Sequence, residues 1–176
     1  MCKQLIVGLS FSFVLWTACK PSRPTEAASP KNVMLQVFEV IDCKTPYTIR
    51  MSLRADKTKT YCLANEVVVD QADVTHAEAT RVESGGSRLL LFFTSKAGER
   101  IRGTTERIMK EHPDPNDPGR MALVVDGTLI EAAALREPLH DQIQIEGAFS
   151  FEEATQIAKS LNAMPRPQPS TSNGQK

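Results

Sequence analysis

Chemistry in this chain would have to come from its three histidines, two serines beside glycines, an acidic loop or its cysteines. His76, His112 and His140 lie far apart, share no His-x-x-x-His spacing and gather no metal shell, so each is expected to be solvated. Ser84 and Ser87 flank Gly85-Gly86, which could be a nucleophile turn, yet a tight hairpin explains the same residues. Gly-x-Ser-x-Gly, phosphate-loop and Cys-x-x-Cys motifs are absent. Asp114, Asn116 and Asp117 collect in one loop, but a helix-loop-helix calcium site would need a glutamate where Val125 stands. Pro113, Pro115 and Pro118 make that loop a stiff connector instead. Glu152 and Glu153 fall at a predicted helix start, where they complement the helix dipole rather than exchange protons. The expectation is a protein that is not an enzyme and takes no metal or other cofactor. An envelope hydrolase acting through one of the histidines is the catalytic alternative.

The cysteines point to a compartment. Residues 1–18 carry one early cation, Lys3, then the apolar run Leu5 to Trp16, then Thr17-Ala18 before Cys19, which is the shape of a bacterial export signal. The run is too short for a comfortable membrane span. A small residue before a cysteine is where lipoprotein signal peptidase cuts, so Cys19 is expected to become a lipidated N-terminus. Trp16 occupies the slot where that signal usually has leucine, which leaves an ordinary secreted protein or an uncleaved anchor as alternatives. Lys20 after the cysteine favours the outer over the inner membrane, with the chain facing the periplasm. Residues 19–32, rich in Pro, Ser and Thr, read as an extended tether, and 165–176 as a disordered tail. Residues 33–164 are then one domain.

Cys43 and Cys62 remain. A disulfide between them would close a loop of about 20 residues and contribute about 3 kcal/mol by restricting the unfolded chain; the other possibility is two buried thiols. Basic and acidic residues number 21 each, and no cationic cluster is interleaved with aromatics, so nucleic acid is not an expected partner.

The elements that would position these residues emerge from periodicity. Leu35 to Ile41 and Thr48 to Leu53 alternate as half-buried strands, with Thr60 to Ala64 as a third. Ala77 to Glu83 and Arg88 to Phe93 flank the glycine hairpin, and the unbroken apolar run Leu89 to Phe93 suggests a central strand covered on both faces. From Ser95, expected to cap the first turn, a helix runs to His112-Pro113. Met121 to Val125 and Leu129 to Leu135 form a second hairpin through Asp126-Gly127, and Gln142 to Glu146 adds another strand. Ser150-Phe-Glu-Glu153 is a capping box that opens a helix with an apolar stripe through Phe151, Ala154, Ile157, Ala158 and Leu161. The order β-β-α-β-β-β-α plus the N-terminal strands implies an α+β fold: one antiparallel or mixed sheet with both helices packed on it.

Several of these motifs occur together in a known order. The strand ending in Asp126-Gly127, the approach to Glu137-Pro138, the Ile143-Gln-Ile-Glu-Gly-Ala-Phe149 segment and Ser150-Phe-Glu-Glu-Ala154 resemble the head subdomain in the first periplasmic region of SecD, a protein-export subunit. Thr94-Ser-Lys-Ala-Gly98 and the strand before it extend the likeness, and Tyr61 to Ala77 resembles the entry to that subdomain, so it covers about residues 60–163. The resemblance implies engagement of exported polypeptide. It also implies a head-like module detached from its motor, because the family's membrane helices and proton-carrying residues are not matched here. The expected partners are polypeptide, an envelope protein or the Sec machinery, met along a sheet edge or the Leu129 to Leu139 region. The alternative is a structural, inhibitor or immunity-type lipoprotein dedicated to one protein.

Overall fold

The structure, a computed structural model, describes residues 32–83 and 86–165. The predicted signal, Cys19, most of the tether, Ser84 and the tail beyond Pro165 lie outside them. The described chain runs β1 (Leu35–Ile41), β2 (Ile49–Ser52), β3 (Thr60–Asp70), a 3-10 turn (Gln71–Asp73), β4 (Val74–Arg81), β5 (Ser87–Phe93), α1 (Ser95–Glu111), β6 (Arg120–Val125), β7 (Thr128–Ala134), β8 (Gln142–Glu146) and α2 (Phe151–Asn162). The class is α+β, and every ladder is antiparallel.

The strands form two sheets rather than the expected one, in the orders β2-β3-β1-β6-β7 and β4-β5-β8. The cause lies in β3. It continues past Ala64 to Asp70, and its register against β1 breaks at Val37/Phe38 and again between Phe38 and Val40. Each bulge bends and twists a strand, so the end of β3, still paired with β1 at Asp70, is turned relative to its start. Asp70 then redirects the chain: its carboxylate accepts from the Ala72 N–H while the Asp73 side chain returns to the Asp70 N–H. The next strand, β4, pairs with β5 alone.

The five-stranded sheet curls. β2 and β7 stand at opposite ends of its order, yet Arg54, just after β2, donates its backbone N–H to the Leu129 carbonyl of β7 at 2.9 Å. Phe38, Leu63, Ala122, Val124 and Leu129 fill the inside of this half-barrel. The other face joins the three-stranded sheet in the main core, where Leu35, Leu89, Leu91 and Ile101 are wholly buried. Removing each such side chain from water contributes roughly 1.5–3 kcal/mol. The helices divide between the sheets, α1 lying against β3 and α2 against β4 and β5.

Local signals explain the helix and hairpin ends. Ser150 accepts from the Glu153 N–H at 3.1 Å, and Glu153 accepts from the Ser150 N–H at 2.8 Å, which makes the expected capping box. At α1 the cap is Thr94, not Ser95: Thr94 is held extended and accepts from the Ala97 N–H. Its own N–H bonds the Asp73 carbonyl, which fixes it outside the helix. Asp126 and Gly127 have φ of 49° and 72°, the paired left-handed residues that a twisted two-residue hairpin requires. β5 is central in its sheet, but it alternates buried and half-buried residues, so only one face is fully covered.

Candidate functional site

The residues singled out for chemistry stay apart. His76 bonds Glu78 on the exposed face of β4 at 2.9 Å and lies 5.7 Å from the Phe92 ring. His112 ends α1, and His140 is exposed in the connection between β7 and β8. Among the described residues, no three metal-ligating side chains gather. Ser87 is buried and donates to the Phe149 carbonyl at 2.6 Å, a structural bond that holds β5 to the start of α2. Asp114 folds its loop on itself by accepting from the Asn116 N–H. Glu153 is held below the ordinary glutamate value by the Ser150 backbone N–H and then by Arg54, whose guanidinium also bonds the Ala148 carbonyl and lies over the Phe149 ring.

Cys43 and Cys62 are bonded in the structure, with sulfurs 2.07 Å apart and Cα atoms 5.1 Å apart. The bond ties the β1–β2 connection to β3, where Cys62 pairs with both Ile41 and Arg50. That connection presents Tyr47, 87% exposed and with φ of 61°.

Sheet edges are treated differently around the molecule. On β4, the Asn162 side chain accepts from the Ala77 N–H at 2.9 Å and donates to the Ala77 carbonyl at 2.8 Å. These are the two bonds an added strand would make there, so the end of α2 stands in for that strand. β7 and β8 also pair on one side only. Between them opens a cleft of about 230 Å³, lined by Val37 and Leu123, by Ala133 and Ala134 of β7, and by Ile143 to Ile145 of β8. Consecutive strand residues face opposite ways, so where three in a row line a cleft, the cleft meets the strand's edge. The connection from Leu135 to Leu139 forms its rim.

Glu131 points into this cleft because β7 carries a bulge. Val124 pairs with Leu129 but Leu123 pairs with Glu131, leaving Ile130 as an extra residue. Simple alternation would place Glu131 with Leu129 inside the half-barrel. The bulge moves it to the face of Leu123, which belongs to the main core. It is half-buried, and that burial raises its carboxyl above the ordinary glutamate value. Periodicity could not find this residue. The available signal was a single acid in the otherwise apolar or small Thr128 to Ala134.

The arrangement offers backbone donors and acceptors along two strands, apolar walls, the half-buried carboxylate of Glu131 and, at the exposed rim, the charges of Arg136 and Glu137. It is suited to holding an extended chain. The rim and β7 after Thr128 lie in the Leu129 to Leu139 region. Among the described residues, no helix is long and apolar enough to cross a membrane.

Comparison with known proteins places this geometry. The family model of the SecDF P1 head subdomain matches residues 47–165. Protein translocase subunit SecD of Koribacter versatilis (strain Ellin345) is 24% identical over 103 residues, which is 58% of this chain and 18% of that protein. This chain therefore corresponds to less than a fifth of that relative's length. Two solved structures superpose with a TM-score of 0.55 at 21% identity over 76% of this chain: SecDF as a membrane component that enhances protein export, and SecDF in a super-membrane-facing form. They are covered over 63% and 19% of their lengths, respectively, and establish likeness of fold. Because the family match takes in every element from β2 to α2, this chain belongs to the SecDF P1 head subdomain family.

Proposed function

We propose that this chain is a non-catalytic binding module of the cell envelope, facing the periplasm, that holds extended polypeptide along the free edges of β7 and β8. The observation that carries this reading is the pair of one-sided strands bordering a cleft whose walls are mostly apolar. Main-chain bonds to an edge strand give affinity without demanding one sequence, which suits a family whose solved relative enhances protein export. Attachment through acyl chains on Cys19, with 19–32 as tether, belongs to the same reading. It would keep the cleft near an outer or inner membrane where exported chains emerge. The Sec machinery is the natural neighbour, and the chain would act on polypeptide as a passive holder.

Hydrogen exchange of the full chain with and without a carboxymethylated, permanently unfolded polypeptide tests this. Amides of Thr128–Ala134 and Gln142–Glu146 should gain protection. Unchanged exchange in both strands, with or without changes elsewhere, would overturn the reading.

A second reading is a structural, inhibitor or immunity-type lipoprotein with one dedicated protein partner. Tyr47 favours it: an aromatic on a disulfide-braced loop is a rigid anchor of the kind that dominates protein interfaces. Under that reading Tyr47→Ala abolishes capture of the partner while the cleft residues are indifferent.

A further inference from the structure

We infer that the cleft selects extended segments carrying a lysine or arginine flanked at the second residue on each side by apolar side chains, and that Glu131 receives the cation. The inference rests on the polypeptide-binding reading and names the chemistry of the bound segment. Among the described residues, Glu39, Glu78, Glu106, Glu111, Glu146, Glu152 and Glu153 each pair with an arginine or histidine. Glu66, Glu83, Glu99 and Glu137 are exposed. Glu131 alone of these glutamates is half-buried with neither an ion pair nor a hydrogen bond to any side chain. A carboxylate so placed is destabilising until a cation meets it.

The geometry of an added strand brings that cation. On a strand paired with β7, the residue opposite Glu131 would have its Cβ roughly 4.5–5.5 Å away, on the same face. Its neighbours two residues away would share that face and turn into the same cleft, whose walls are mostly apolar. Ala133, beside Glu131 on that face, leaves room for a long side chain to lie along the strand. A charge-assisted bond formed against apolar walls is stronger than one in open water. An inward-pointing charge on an edge strand also discourages pairing between copies, and this simpler role makes no distinction between bound sequences.

The test is a panel of extended decapeptides with alternating valine and threonine and a central Lys, Gln or Glu, titrated into the full chain and into Glu131→Gln and Glu131→Lys. The lysine peptide should bind the unaltered protein about tenfold more tightly than the glutamine peptide. That preference should vanish in Glu131→Gln, and Glu131→Lys should prefer the glutamate peptide. Equal binding of all three peptides to the unaltered chain would overturn the inference and leave the polypeptide reading standing. A lysine preference that survives in Glu131→Gln would overturn it as well. Failure of every peptide to bind would overturn both.

Discussion

The outer edge of β4 and the cleft between β7 and β8 present the same problem, backbone groups with no neighbouring strand, and the fold answers it in opposite ways. At β4 the last residue of α2, Asn162, supplies one acceptor and one donor to Ala77 and so completes the missing ladder locally. At β7 the Arg120 guanidinium reaches a single carbonyl, that of Ala132, and no side chain among the described residues supplies a paired donor and acceptor: the strands border a cleft, and a bulge turns a carboxylate into it. An edge closed by a side chain contributes to stability, whereas one left beside apolar walls has hydrogen-bonding groups that an added strand can use. The half-barrel shows an intermediate case, in which the Arg54 N–H takes the Leu129 carbonyl of β7 and the Arg120 guanidinium takes that of Ala132.

The largest effect should come from removing the disulfide, which lies away from both edges. Replacing both Cys43 and Cys62 with serine frees a loop of sequence separation 19 and should cost about 3 kcal/mol in urea unfolding. Affinity for extended peptide at the cleft should stay unchanged, since neither cysteine lines it. Asn162→Ala comes next. It leaves the N–H and carbonyl of a buried Ala77 unpaired, with an expected loss of about 2 kcal/mol. It should also make β4 self-associate, which sedimentation would detect. A variant that is monomeric and fully stable would show that β4 needs no such closure.

The smallest effect concerns Glu131. Its carboxyl is raised in the folded state, so the fold favours its protonated form. Stability tied to that group is present below the unfolded-state value, near pH 4.3, and is lost as pH rises through the higher folded value. Glu131→Gln should therefore gain about 0.5 kcal/mol at neutral pH and nothing below about pH 4. Thermal unfolding at two pH values checks this, and a loss at neutral pH would mean that the carboxylate has a stabilising partner.

Features set by a few adjacent residues were legible in the sequence. Asp126-Gly127 specifies its hairpin through two positive φ values, and Ser150 with Glu153 specifies a helix start. The order of those motifs also indicated the family, although the match begins at residue 47 rather than about 60. Features set by register were not legible. The bulges of β3 turn its far end and, with the Asp70 turn, deliver β4 to another sheet, and nothing in alternating polarity announces them. The bulge at Ile130 likewise reverses which face Glu131 occupies. The sequence alone singles out the Leu129 to Leu139 region as an expected contact surface. Its partner across the cleft, the edge of β8, became visible only in three dimensions.

The contrast between closed and open edges is tested most directly by photo-crosslinking from single sites on each. A photoreactive side chain at Ala133 or at Gln144 should crosslink an unfolded polypeptide, while one at Thr80 on β4 should give only background. Equal yields from Thr80 and the cleft positions, or yield from Thr80 alone, would contradict the account.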